Sequence, residues 1–432
     1  MNESDEDKQG LSRRHFLSRG LMAAATAGLA APGVRAALEP GSKGDRPAQE
    51  NAIEPFWGKH QGGILTPLQH NTYFAAFDLI ATERGDVIKM LQAWTAAAAK
   101  MSSGQTLEPI GHDDSIPAFD SGEALGLSPA RLTITFGFGP GLFIKDGQDR
   151  YSLAAHRPPA FVDMPRFAGD QLVDTRTGGD LSVQACADDP QVAFHAVRQL
   201  TRLAYEVAQI HWVQTGFTAK FNEGETPRNL MGFKDGTNNP SVADSKTIDK
   251  FIWVGDDGPD WMRGGSYMVA RRIRIALEHW DRMNLAFQEQ TVGRHKYSGA
   301  PLGGTQEFDK ADYDAVDKDG NPIIPENAHV RLAAAVNNDE TQILRRPYSY
   351  NDGANFTAER WPPWRQEMEY DAGLFFICYQ SDPRIGFIKL FDKMSKFDMM
   401  NQFVTHTGGG LFACPSGIAE GEFIGQRLFE KG

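Results

Sequence analysis

One junction occurs twice in this chain. A strand-like run at residues 180–187 (DLSVQACA) passes through Asp189-Pro190 into a long amphipathic pattern over 193–210. Residues 373–380 (GLFFICYQ) pass in the same way through Asp382-Pro383 into a helical pattern over 385–394, again with a cysteine just upstream. Aspartate before proline is a strong helix start. The carboxylate accepts the orphan N–H groups of the first turn, and proline is already set to the helical φ. The order before each junction repeats too. In the first half, 73–79 reads as a strand, 86–100 as a helix with Val87, Met90, Leu91 and Trp94 at helical spacing, and 131–138 as an alternating strand. In the second half, 266–277 reads as a strand, 280–292 as a helix and 328–333 as a strand. A module of strands and crossing helices used twice predicts an α+β chain with antiparallel sheets, in halves spanning 61–245 and 246–432.

Length agrees, because 432 residues exceed what one compact core usually takes. With 44 Lys and Arg against 56 Asp and Glu, the formal charge is −12, which argues against nucleic acid or an anionic membrane surface as the main partner. Cys186, Cys378 and Cys414 are the only cysteines, and no C-x-x-C spacing occurs. A disulfide framework, a structural zinc site and a dithiol redox pair are therefore not expected.

Residues 1–36 read as an address. A polar, acidic start leads to Ser12-Arg13-Arg14-His15-Phe16-Leu17, an Ala-rich apolar run over 20–31, and a small-residue site near Ala36. Paired arginines before a short apolar stretch form the pattern of a twin-arginine export signal, and the run is too short to span a bilayer core of ~20 residues. Such signals carry folded proteins, so a cofactor loaded in the cytoplasm and a periplasmic or otherwise exported working place are expected. Residues 37–60, rich in Pro, Gly and charge, read as a linker. No other stretch of eighteen apolar residues is present, so the mature form is expected to lack a transmembrane segment.

Three strings carry candidate chemistry. Residues 232–240 (GFKDGTNNP) read on composition as a turn. Residues 325–333 (PENAHVRLA) place His329 and Arg331 on one face of a strand by the period of two. Residues 343–350 (ILRRPYSY) set two arginines beside an apolar run.

Together these strings resemble the dye-decolourising peroxidase family, and within it the exported deferrochelatase/peroxidase branch. The family's G-x-x-D-G motif stands as Gly232 to Gly236, its axial-histidine string as Asn327-Ala-His329-Val-Arg331, and its distal-arginine string as 343–350. A C-terminal stretch at 397–403 also fits, so the resemblance spans essentially the whole chain. Pro347 stands where glycine is commoner.

The resemblance implies tandem ferredoxin-like halves with a haem b pocket mainly in the C-terminal half, and His329 as proximal ligand to the haem iron. It implies Asp398 as the carboxylate partner of His329, with Asp392 as the alternative. Asp235 and Arg345 are the implied catalytic pair, with Arg346 as an alternative to Arg345 and Asn239 assisting by holding peroxide or water. Cofactor contacts are expected at Gly236, Thr237 and Asn238, at Ala334, Ala335 and Val336, and at Arg331 through a haem propionate.

These residue types suit the chemistry. A neutral imidazole is an ordinary haem ligand, and a carboxylate on its other N–H raises its basicity. Opposite the ligand, a carboxylate can move the peroxide proton while a guanidinium stabilises the charge developing on the leaving oxygen. Tyr350, Trp361, Trp364 and Tyr370 are candidates for electron relay, though core packing is the commoner role of such aromatics. His295 and His406 are candidate pocket neighbours. The implied partners are hydrogen peroxide and an organic reductant, with iron-uptake components and a homo-oligomer as further expectations. The competing reading is a non-catalytic haem carrier, which would keep His329 without needing Asp235 and Arg345.

Overall fold

The computed structural model describes residues 52–107, 115, 117–219, 225–358 and 366–431. The leader, the first part of the linker, and Trp361 and Trp364 lie outside them. The first half runs β1 (Asn71–Leu79), α1 (Arg84–Ser102), β2 (Thr133–Phe138), β3 (Leu181–Ala187), α2 (Pro190–Leu203) and β4 (Ala208–Phe217). A short α3 (Ser245–Phe251) leads to β5 (Ser266–Ile275), α4 (Leu277–Trp280), α5 (Leu285–Val292) and α6 (His329–Ala333). Then come β6 (Leu344–Arg345), β7 (Tyr348–Ala358), β8 (Gln366–Gln380), α7 (Phe387–Phe397), β9 (Val404–Cys414) and α8 (Gln426–Lys431).

Both halves share one strand order. The first reads β2-β3-β1-β4 and, with the two-residue β6 beside β8 set aside, the second reads β7-β8-β5-β9, so each half sets its first long strand between its third and fourth, with the second outermost beside the third. All these pairs are antiparallel, and the α+β, tandem ferredoxin-like expectation is met. Single pairings at the corners, Phe217 with Ser349 and Phe138 with Ala413, join the halves into one closed nine-stranded sheet. Phe74, Trp212, Met268, Phe375, Ile377 and Phe412 fill its interior. On the outer face of the first sheet α1 and α2 pack together, and Trp94 Nε1 donates to Leu200 O across them at 2.7 Å.

The junction that opened the sequence reading is built as expected at its first occurrence. Asp189 Oδ1 accepts from the N–H groups of Gln191 (2.7 Å) and Val192 (3.3 Å), with Pro190 at the first helical position. Two expectations are corrected. The helix read over 193–210 ends at Leu203, because Glu206 takes a left-handed φ of 70° and the chain turns back as β4. The strand read over 328–333 is a single helical turn, closed by Arg331 N and Leu332 N donating to Ala328 O, each at 3.1 Å.

The last residues of the predicted linker also belong to the fold. Gly58 N donates to Ile418 O at 3.0 Å, and the His60 ring stacks on Trp253 with centroids 3.8 Å apart. All three cysteines are buried and free.

Candidate active site

The outer face of the second sheet meets α5, α6, α7 and the 229–238 loop around a cavity of about 400 Å³. Its wall is largely apolar, with Ile273 and Ile275 from β5, Leu374 and Phe376 from β8, and Leu390 and Phe391 from α7. Into this wall the fold sets a few polar groups.

His329 begins α6 and lines the cavity. Its Nδ1 lies 2.7 Å from Asp398 Oδ2, an acceptor-only carboxylate that keeps the proton on Nδ1 and leaves Nε2 free. Asp398 follows α7, and its other oxygen accepts from Met400 N at 2.8 Å, so the carboxylate is fixed at both ends. Asp392, the alternative, is instead paired with Lys396 on the surface at 2.8 Å. Burial alone would push the His329 pKa down. The Asp398 carboxylate outweighs it, and the net shift is upward.

Asp235 and Arg345 form a second pair, with Arg345 Nη1 donating to Asp235 Oδ1 at 3.0 Å. The loop carrying Asp235 is braced from within. Asn229 Oδ1 accepts from Met231 N (3.0 Å) and Phe233 N (3.3 Å), and Asp235 N donates to Pro227 O at 2.9 Å. Gly236 follows at φ 125°, a conformation that disfavours any side chain. Arg346 turns away from the cavity, buried against the Thr66 and Pro67 carbonyls and Gln69 Oε1.

Asn239 does not reach into the cavity. Its Nδ2 donates to Arg345 O at 2.7 Å and its Oδ1 accepts from Arg345 N at 3.1 Å, so it clamps the main chain of the arginine. The expectation that it holds peroxide is therefore replaced by a bracing position.

Arg331 is a second correction. On a helical turn, residues two apart point to different sides. Arg331 Nη1 donates to Ile324 O at 2.8 Å and its guanidinium lies over the Tyr313 ring, away from the cavity. Of the 334–336 trio, Ala335 lines the cavity, Ala334 is buried behind it and Val336 is 64% exposed. Tyr350 is fully buried with Arg272 over its ring at 4.3 Å, whereas Tyr370 is exposed. His295 pairs with Glu289 at 2.9 Å.

Gly236, Thr237 and Asn238 line the cavity beside Lys234 and Arg294, two cations that the sequence strings did not single out. Lys234 Nζ is 2.6 Å from Glu307 Oε2, and Thr237 Oγ1 donates to Glu307 Oε1 at 3.0 Å. Burial would raise the Glu307 pKa, but donors from Lys234, Thr226 and Thr237 hold it below the usual carboxylate range. A depressed folded-state pKa contributes stability above the unfolded value near 4.5 that disappears as pH falls through the folded value. Glu307→Gln is therefore expected to lose about 1–2 kcal/mol at neutral pH and to flatten the acid limb of the stability curve, measured by urea unfolding across pH. An unchanged acid limb would remove Glu307 from the account.

His406 also lines the cavity, with Nδ1 buried and lacking a partner. Burial first, and then nearby Arg271, push its pKa well below the ordinary value and keep the ring neutral.

The residues fit a haem. The cavity walls are apolar, one imidazole offers a free Nε2, and the cations at one end suit a carboxylate-bearing edge. Asp235 and Arg345 line the same cavity as that imidazole, an arrangement suited to proton transfer and anion stabilisation. Fold and site together define a haem-dependent oxidoreductase.

Comparison with known proteins specifies it further. Residues 61–218 match the model of the Dyp-type peroxidase N-terminal domain, and residues 226–419 that of the C-terminal domain. A dye-decolorizing peroxidase of Thermobifida fusca is 36% identical over the full length of both chains. A deferrochelatase of Escherichia coli O157:H7 is 34% identical over 98% of this chain and 99% of its own. Ferric DtpA of Streptomyces lividans superposes with a TM-score of 0.80 at 38% identity, covering 89% of this chain and all of that one. The chain belongs to the Dyp-type peroxidase family and is a haem peroxidase, acting on hydrogen peroxide with a reductant. Among the described residues no helix is long and apolar enough to cross a membrane.

Proposed function

We propose that the chain reduces hydrogen peroxide while oxidising bulky organic donors, with His329 as proximal haem ligand and Asp235 and Arg345 as the catalytic pair. The bound haem supplies the iron redox chemistry. Asp235 takes the proton from one peroxide oxygen and returns it to the other. Arg345 stabilises the negative charge on the departing oxygen. Asp398 holds the His329 ring and its proton, and Asn239 fixes the backbone from which Arg345 projects. The observation that carries this reading is the Asp235–Arg345 pair sharing one cavity with a carboxylate-held imidazole. A carrier would not need that pair.

The Arg13-Arg14 leader supports export by the twin-arginine route to the periplasm. Relatives named deferrochelatase, 34% identical over 98% of the chain, support release of iron from haem as an additional activity and a link to iron uptake. The test is the visible spectrum of the haem-loaded protein before and after one equivalent of peroxide. Fast spectral conversion, with dye oxidation quickest below neutral pH, is expected. A rate flat from about pH 4 to about pH 8 would count against Asp235 as the proton carrier. Slow bleaching alone would favour the carrier.

A further inference from the structure

Reduction of hydrogen peroxide to two waters takes up two electrons and two protons. In the role given above, Asp235 takes a proton from one oxygen and returns it to the other, so it adds none to that sum. The first water leaves with both protons that peroxide brought. The second needs two more, and a donor that gives electrons alone cannot supply them. Protons must therefore enter the cavity from bulk solvent. Arginine does not give up its proton in proteins, which leaves Lys234, Asp235, His329, Asp398 and His406 as the titratable groups on the cavity wall. Lys234 is held by Glu307 at 2.6 Å, Asp235 by Arg345 at 3.0 Å and His329 by Asp398 at 2.7 Å. His406 is 8% exposed, and its Nδ1 has no partner among the described residues. A buried polar nitrogen without a partner is costly to the fold, and its retention here calls for a role.

We infer that His406 is the inlet that passes protons from bulk solvent into the cavity for the second water. The inference rests on the peroxidase reading above and extends it to the supply of protons. Leu374 of β8, Ile273 of β5 and His406 of β9 form one row across the sheet, while Arg345 lies on β6 beyond β8. The imidazole thus meets the cavity floor at the end away from the Asp235–Arg345 pair. The surface reaches the same corner. Gln171 N donates to His406 O at 3.0 Å, Asp170 holds Arg271 at 2.9 Å, and the preceding Ala168 and Gly169 are exposed. The Phe391 ring packs 4.4 Å from the imidazole and 5.6 Å from the Arg271 guanidinium, so all three sit together. Burial, and then the Arg271 charge, keep the ring neutral. A proton that arrives is handed on rather than stored, since the ring accepts it at one nitrogen and releases the proton held on the other. Asp235 is thereby left free for peroxide itself.

The experiment follows the haem-loaded protein by stopped flow in two stages, with ferrocyanide as a donor that carries no proton. Conversion of the spectrum by one equivalent of peroxide needs no outside proton, and in His406→Phe it is expected within about threefold of wild type. Return to the resting spectrum on adding ferrocyanide needs two, and it is expected to slow by about 10- to 100-fold. His406→Gln keeps a polar side chain that cannot titrate and should be as slow as His406→Phe. A glutamine variant that returns at the wild-type rate overturns the inference, because packing or hydrogen bonding alone would then suffice. So does a phenylalanine variant slowed equally in both stages. A readout without turnover is nitrogen NMR of the histidine-labelled protein loaded with zinc protoporphyrin. A neutral His406 ring at about pH 7 is expected, and a ring carrying both protons overturns the inference even if no variant folds. An Asp235→Asn enzyme that keeps the first stage at full rate overturns the Asp235 reading instead, which separates the two failures.

Discussion

His329→Ala is expected to weaken haem binding by more than ~100-fold and to abolish peroxidase turnover, whereas Asp398→Asn is expected to cost ~10–100-fold in either quantity. The order follows from the geometry. Alanine removes the free Nε2 altogether. Asparagine keeps an oxygen within reach of Nδ1 but removes the negative charge that raises the His329 pKa against its burial. The Asp398→Asn protein should therefore still show a Soret band, shifted toward that of a less basic proximal ligand. With its oxygen at His329 Nδ1, the asparagine turns its NH2 toward Met400 N, so the acceptor that Asp398 Oδ1 now offers there is lost and part of the cost falls on the fold. Adding free imidazole to His329→Ala should restore a ligated spectrum, since the vacated space lines the same cavity. A His329→Ala protein that binds haem with wild-type affinity and spectrum would sink the assignment. Visible titration of the two variants side by side is sufficient.

How much of this was legible in the sequence depended on how local each signal was. The Asp-Pro helix start at 189/190 was readable because cap and helix are neighbours, and the two halves do share one strand order. The Gly232–Gly236 loop was readable as a turn from its glycines, and its partnership with 343–350 came from resemblance. Strand β4 was missed because its apolar residues continue the helical run. The break lies in the positive φ of Glu206, a residue type that does not announce one. The helical turn at His329 was missed because a five-residue element of small side chains satisfies a period of two as well as one of 3.6. That single misreading put Arg331 on the wrong side. Arg294 and Asn239 were hidden for another reason. One reaches the cavity wall through bonds to the Gly299 and Glu307 carbonyls, the other acts by two bonds to a main chain more than a hundred residues away. Spacing along the sequence carries neither fact.

Asp235→Asn is expected to lower kcat/KM for peroxide by ~10²–10⁴-fold while leaving haem affinity nearly unchanged. The substitution is close to isosteric, and an asparagine oxygen can still accept from Arg345 Nη1, so the arginine stays in place while the proton carrier is lost. Arg345→Leu is expected to cost ~10²–10³-fold, since it removes the group that meets the developing charge. The double variant then decides how the pair works. If Asp235 acts only with Arg345 holding its carboxylate, the two losses overlap, and the double variant falls little below the worse single one. Full multiplication of the losses would mean two independent roles, and the 3.0 Å contact would be incidental to catalysis. An Asp235→Asn enzyme within about threefold of wild type would remove Asp235 from proton transfer. Stopped-flow measurement with peroxide reports the step directly. It is free of reductant binding, which the exposed Tyr370 or other surface aromatics would otherwise bring into the rate.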